Sequence, residues 1–431
     1  YHDDLEGLIE EEKEYLGITS KIGVYSTSQL EVVDTEGAIA SGGVEGAWDL
    51  DRRITEMDRE GIAAEVFLQG HQSASTPFFG ANNQYYPAEL RMAGVRAYNR
   101  WQADMVDEAG GRLIGVIEQT PVADLEEVVK EVHWAGDRRF RGLAFSSVSD
   151  PAVPQPPLHD PYWEPLWRAA ADYSLALVIH VGIGPPQGST FELFRQRAQS
   201  IKGGDYDRNS AERSVNLMEA DQDPRLRELF TLNYSPRQAL WQLMVGGVFD
   251  RYPTLHFIPT EARADWVPET LARMDGRFEA GGTPLKRKPS EYWADHCFAG
   301  ASFIHRHEVA DRHAIGVRTL TFGRDYPHPE GTWPNTKDWL RAAFGGVPED
   351  EARLILGENA VRCYGLDLRF VESVAEKIGP EAAEILAAPE VPSVLVTEFE
   401  KRGGFLKNAP ALVPDRLDAI LEEALTPSAG A

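Results

Sequence analysis

Short apolar runs recur along the chain, and between them apolar side chains return every three or four positions. The first clear unit begins at Trp48: Leu50, Ile54 and Met57 share one helical face across Asp49 to Glu60, Gly61 ends that helix, and the apolar run Ala63 to Leu68 follows. The same alternation predicts strands at Ala64–Leu68, Leu113–Gln119, Arg141–Phe145, Leu175–Val181, Leu255–Thr260, Cys297–Ala301 and Leu320–Gly323, each separated from the next by at least one helix. Continuous apolar runs alternating with amphipathic helices mean strands buried on both faces, which is the pattern of a parallel sheet. An open doubly wound sheet would carry a glycine fingerprint at its nucleotide crevice, and no G-x-G-x-x-G or Walker pattern follows any of these runs. The pattern therefore predicts an α/β fold of the TIM (β/α)8-barrel type. Seven strands are one short of a closed barrel, so the expectation is that the first strand is missing, upstream of Tyr1.

This divides the chain into three parts. Residues 1–47 combine an acidic helical pattern, His2 to Leu16, with a Ser-, Thr- and Gly-rich stretch over 17–46 expected to be an irregular connection. Residues 48–367 form the barrel. Past Asp367 the alternation stops, and residues 368–431 read as a helical tail with Pro-rich breaks, in which Val394 to Phe399 and Leu417 to Leu425 are apolar enough to pack on the barrel or on a neighbouring subunit of a homo- or hetero-oligomer.

Composition narrows the function. The chain has 431 residues, 42% hydrophobic and 26% charged, which suits a folded globular protein with a sizeable core. A formal charge of -25 argues against nucleic acid as a partner, because a backbone-binding surface needs clustered Lys and Arg. Two cysteines, Cys297 and Cys363, are too few for a disulfide framework. With no apolar run near the ~20 residues that span a bilayer and no secretory pattern, the expectation is a cytoplasmic protein with a small-molecule substrate and no membrane partner.

In a barrel the active groups stand at the carboxyl ends of the strands. His180 closes the β-branched run Leu175 to Val181 and can bind a metal through a neutral ring nitrogen; its alternative is a buried histidine bonded to backbone. Glu261 closes the run from Leu255, where a carboxylate has to be paired, metal-bound or protonated, or else serves as an N-terminal acid of a helix over Ala262 to Met274. His256, at the opposite end of that strand, reads as structural. Asp325 follows strand and glycine in Leu320-Thr-Phe-Gly-Arg-Asp-Tyr-Pro-His-Pro-Glu-Gly331, with His328 three residues on along a proline-stiffened loop, so both can face one pocket. An Asp-initiated turn would explain the Asp and Pro but not the His and Glu beyond them. His71 is a weaker candidate for lining the mouth. His305, His307 and Glu308 can simply begin a helix. Neither a His-Glu-x-x-His helix nor a nucleophile elbow G-x-S-x-G occurs.

Taken together, Val178-Ile-His180-Val-Gly182, Thr260-Glu261-Ala-Arg-Ala-Asp-Trp266 and Phe322-Gly-Arg-Asp325-Tyr-Pro-His328-Pro-Glu-Gly331 resemble the amidohydrolase-related family, which includes aminocarboxymuconate-semialdehyde decarboxylase and related aromatic-acid decarboxylases. Trp48-Asp-Leu-Asp-Arg52-Arg53, Ala97-Tyr-Asn99-Arg-Trp101 and Leu356-Gly-Glu-Asn359-Ala add to the resemblance, which spans Trp48 to Asp367. It implies a distorted barrel holding one or two divalent ions, zinc, manganese or iron, with His180 and Asp325 as ligands and Glu261 as a base, a further ligand or a bridge. Two departures stand out. The family's first-strand Asp-x-His or His-x-His pair has no counterpart here, and Glu261 stands where the decarboxylases place an acid/base histidine. The implied activity is hydrolysis or decarboxylation of a small carboxylated or amide substrate, with Asp325 assisting at the metal, Glu261 or His328 moving protons and Arg263 and Arg324 meeting a substrate carboxylate. Two alternatives remain open: a dinuclear iron or iron–manganese oxygenase, and a catalytically silent partner of an active homologue.

Overall fold

The computed structural model describes residues 27–68, 88–118, 124–145, 155–180, 234–300, 304–328, 331–387, 390–402, 418, 421 and 422. Seven parallel strands follow one another round the sheet in chain order: β1 Glu65–Phe67, β2 Leu113–Ile117, β3 Gly142–Ala144, β4 Ala176–His180, β5 His256–Thr260, β6 Ala299–Gly300 and β7 Leu320–Thr321. Every strand falls inside a run that the apolar pattern marked. Among the described residues β1 and β7 are not paired with each other, so the curled sheet keeps an open seam between them.

Alternation along each strand sorts side chains into two layers. Ile114, Val116, Ala176, Val178 and Ile258 point inward to a small inner core with Ala144 and Phe298. Leu143, Leu177, Ile179 and Phe257 point outward against the helices. Those helices are α1 Thr27–Val33, α2 Leu50–Glu60, α3 Ala88–Glu108, α4 Leu125–Gly136, α5 Glu164–Asp172, α6 Tyr234–Val245, α7 Val267–Glu279, α8 Pro289–His296, α9 Arg306–Ala310, α10 Thr336–Phe344, α11 Asn359–Tyr364, α12 Leu368–Ile378 and α13 Ser393–Arg402, with several shorter turns between them. Local chemistry starts and stops them. Asp49 caps α2 by accepting from the Arg52 N–H at 2.8 Å, and Gly61, at φ 76°, ends it.

Three departures from the sequence expectation have identifiable causes. The stretch read as irregular over 17–46 contains α1 and a 3-10 turn at Gly43–Ala47; the Asp34 carboxylate accepts from Ile39 and Ala40 N–H at 2.9 Å each, which organises the link between them. The helix expected from Ala262 begins only at Val267, because the Ala264 N–H is taken by the Glu308 carboxylate at 2.6 Å instead of entering a helix. Strand β7 stops at Thr321 and the chain turns away, reaching φ 56° at Asp325.

The tail packs on the molecule's own helices. Leu395 and Phe399 of α13 are buried with Val33 of α1 and Trp339 of α10, the Phe399 and Trp339 rings lying 4.9 Å apart. Leu421 is fully buried and its carbonyl accepts from the Trp241 indole at 2.9 Å. No helix of the described residues is long and apolar enough to cross a membrane.

Because Phe399 is fully buried, Phe399→Ala is expected to lower the unfolding free energy by about 3–5 kcal/mol. Urea titration followed by tryptophan fluorescence checks this, Trp339 being the adjacent reporter; a loss under ~1 kcal/mol would show that the tail is not part of the cooperative unit.

Candidate active site

Strands β4 and β5 pair in register from Ala176 opposite His256 to His180 opposite Thr260. The alternation that turns Val178 inward turns His180 inward as well, at the carboxyl rim. Glu261, the next residue after Thr260, therefore arrives beside it, and His180 Nε2 lies 3.2 Å from Glu261 Oε2. Glu261 adopts φ 51°, a backbone region that non-glycine residues rarely occupy, and so does Asp325 at φ 56°. Such strain persists only where the surroundings over-determine it, and it concentrates at functional sites.

Glu261, Asp325 and His328 offer ligand atoms that all lie within 4.8 Å of one another. Asp325 Oδ1 and His328 Nδ1 are 3.7 Å apart, in a turn closed by the His328 N–H donating to the Asp325 carbonyl at 2.7 Å. Two carboxylates and an imidazole, with a second imidazole reaching the group through Glu261, suit a divalent cation that accepts oxygen and nitrogen together, and manganese, iron and zinc all do so. His328 thus stands within the convergent trio, whereas His180 meets it through Glu261.

These groups open onto a cavity of about 990 Å³. It lies along the seam, lined by β1 and the segment Thr321 to His328 on its two sides, and its walls are mostly apolar and aromatic, with Phe67, Tyr98 and Trp101 among them. Val371 and Ala375 of α12 also line it.

The two arginines singled out for a substrate carboxylate have protein partners. Arg324 is 4% exposed; its Nε donates to Glu65 Oε2 and its Nη1 lies 3.7 Å from Glu60 Oε2. Arg263, also 4% exposed, lies 2.5 Å from Asp265 and touches the His307 ring. Arg324 lines the cavity, and Arg263 is not among the described residues that do. His71 lies outside the described residues. His305 precedes α9 and its N–H is capped by the Glu308 carboxylate at 2.8 Å, a helix-start role. The structural reading of His256 also holds, since its Nδ1 meets the Cys363 carbonyl at 3.0 Å.

Sequence reasoning passed over the acids behind Asp325, Glu65 and Glu60. Glu65 accepts from Arg53 and Arg324 together; burial pushes its carboxyl up, but the two guanidinium groups outweigh burial and hold it below the ordinary carboxylate range. Glu60, accepting from the Thr336 N–H at 3.1 Å, is instead raised, because burial outweighs the pull of Arg324. The legible signal was a charge inside the apolar run Ala63 to Leu68, which must find a partner when buried. Glu118 is a further case. It follows β2 on the same parity as the inward-facing Ile114 and Val116, it is 2% exposed, and burial pushes its carboxyl up to about 8.

Parallel strands in chain order, with carboxylates and imidazoles converging where the strands end, define a metal-dependent barrel enzyme. The family profile described as Amidohydrolase matches residues 46–366, and the chain belongs to that family. Solved structures with the same fold include an amidohydrolase from Mycobacterium avium subsp. paratuberculosis K-10, at 20% identity and TM-score 0.57 over 75% of each chain. They also include a 5-carboxyvanillate decarboxylase from Novosphingobium aromaticivorans DSM 12444 complexed with manganese and 4-hydroxy-3-methoxy-5-nitrobenzoic acid, at 19% identity and TM-score 0.54 over 83% of this chain and 93% of that one. A third is a dihydroxybenzoic acid decarboxylase from Polaromonas sp. JS666 with bound manganese and the inhibitor 2-nitroresorcinol, at 19% identity and TM-score 0.53 over 73% and 85%. No curated protein matches the chain in sequence.

The raised carboxyl of Glu118 makes a signed prediction. The unfolded chain loses this proton near the ordinary value of 4.5 and the folded chain only near 8, so between those values the folded state binds more protons and stability falls as pH rises. Glu118→Gln should abolish that contribution, giving a stability gain over the native chain that grows from pH 5 to pH 8. Denaturant titrations at the two pH values measure it, and a difference that stays flat would contradict the protonated state.

Proposed function

We propose that the chain is a divalent-metal-dependent carboxy-lyase acting on a small carboxylated aromatic compound, with the cation held by Glu261, Asp325 and His328 and with His180 beside Glu261. The observation that carries this reading is the convergence of those three ligand groups at one rim of the sheet, beside a largely apolar and aromatic cavity. The aromatic-acid decarboxylases that share the fold, two of them with bound manganese, support both the reaction class and the metal. Hydrolysis of a small carboxylated or amide substrate uses the same groups and is the competing reaction within the family.

A bound divalent cation would supply Lewis acidity and a fixed positive charge for a substrate carboxylate or hydroxyl. The remaining work falls to the chain's own residues. Flat aromatic walls from Phe67, Tyr98 and Trp101 orient a ring and exclude water from it. Loss of carbon dioxide leaves an electron pair on the ring carbon that must receive a proton. His180, 3.2 Å from Glu261 Oε2 and outside the ligand trio, is placed to deliver it, the Glu261 carboxylate orienting the imidazole. Overall one carboxylate and one proton become a C–H bond and carbon dioxide, with no change of oxidation state at the protein.

Manganese-loaded protein should release carbon dioxide from hydroxylated benzoates such as 2,6-dihydroxybenzoate. His180→Gln should lower kcat by about 10²–10⁴-fold, the usual contribution of a positioned proton donor. Asp325→Asn should remove tightly held manganese, measured by elemental analysis after gel filtration. Iron content with substrate-dependent oxygen uptake would replace this reading by the oxygenase. Intact protein that holds no metal and turns over no substrate would leave the silent-partner alternative.

A further inference from the structure

The loop that carries Asp325 and His328 leaves β7 on the side of the sheet where backbone pairing stops. On its other flank β7 is held to β6 by a register of two residues, Ala299 with Leu320 and Gly300 with Thr321. Across the seam, β1 and β7 share no ladder among the described residues. Side-chain charge spans that gap. Arg324, immediately before Asp325, reaches Glu65 on β1 and Glu60 on α2, while Glu65 also holds Arg53 of α2.

The geometry points to Glu65 and Arg324 as positioning residues: their ion pair is the strut that bridges the seam and sets Asp325 and His328 for the cation. This rests on the metal reading above.

Four observations support a built device over an incidental ion pair. The Arg324 guanidinium carbon stands 4.4 Å over the Tyr326 ring and that of Arg53 5.1 Å from it, so one aromatic ring spaces the two cations. The Tyr326 hydroxyl donates to the Gly43 carbonyl, and at Gly46 a Cβ would lie 2.1 Å from that hydroxyl, so the close approach depends on a glycine there. On the main-chain side the Arg324 carbonyl accepts from the Thr332 N–H at 2.9 Å, and a Cβ at Gly331 would sit 2.4 Å from that same oxygen. Finally, Asp325 is held at φ 56°, a conformation that relaxes unless its neighbours hold it on both sides. Arg324 is thus fixed at its head by Glu65 and at its backbone by Thr332, and Asp325 is the next residue along.

The test compares manganese affinity by calorimetry, and the visible spectrum of the cobalt-substituted protein, in the native chain, Glu65→Gln and Arg324→Lys. Glu351→Gln serves as the control; it breaks a comparable ion pair with Arg312, 2.6 Å long, away from the cavity. Manganese affinity should fall by roughly 10–100-fold in both seam variants, as it does when groups that orient ligands are lost, with an altered cobalt spectrum in each. The control should keep the native affinity and spectrum even where its melting temperature drops. Arg324→Lys retains the charge, so it keeps the question answerable if Glu65→Gln does not fold. Native affinity and spectrum in the folded seam variants would overturn the strut and leave the metal reading intact. A native chain that binds no manganese or cobalt would overturn both.

Discussion

A single carboxylate, Glu65, holds two guanidinium groups at the wall of the cavity, and through them α2, β1 and the loop after β7 are joined. A buried ion is costly to desolvate, and that cost is recovered only when its partners are close, well oriented and themselves bonded. Those conditions are met: Arg53 and Arg324 both reach Glu65, Tyr326 lies against both, and Glu60 and Glu56 take up further donors from Thr336, Trp333 and Arg59. Breaking one pair would leave a largely buried charge without its partner. Arg324 is the residue immediately before Asp325, so these contacts meet the candidate site through the backbone.

The opposite half of the centre is organised by main-chain register. Five paired residues tie β4 to β5, more than any other pair in the sheet, and they bring His180 and Glu261 to the same rim within hydrogen-bonding reach. The candidate ligands thus come from two structural regimes. One side is set by a long ladder in the best-buried part of the sheet. The other is set by buried charge across an open seam, where β6 and β7 supply only two paired residues.

This division also explains the cavity. Where strands pair closely, inward-facing Val178, Ile258 and Phe298 fill the interior. Where β1 and β7 part, the space stays open, lined by Glu261, Asp325 and His328 and also by Val371 and Ala375 of α12, a helix with no fully buried residue. A largely apolar chamber joined to a cluster of carboxylates and imidazoles has the make-up of a small-molecule site, apolar walls with a few converging polar groups.

Much of this was legible in the sequence because its causes are local. Apolar periodicity located the seven strands of the described residues, since a strand buried on both faces must be apolar throughout, and the residues ending those strands pointed to His180, Glu261 and Asp325. The polypeptide order likewise determined that consecutive strands would lie side by side. What only the tertiary structure decided was pairing at a distance: that His328 joins Glu261 and Asp325, that Arg324 and Arg263 are occupied by Glu65 and Asp265, and that the tail folds onto α1 and α10. A charge or an aromatic ring far along the chain carries no periodic signature of its partner, because its energy depends on which groups the fold brings within a few ångströms and on how completely it removes the water between them.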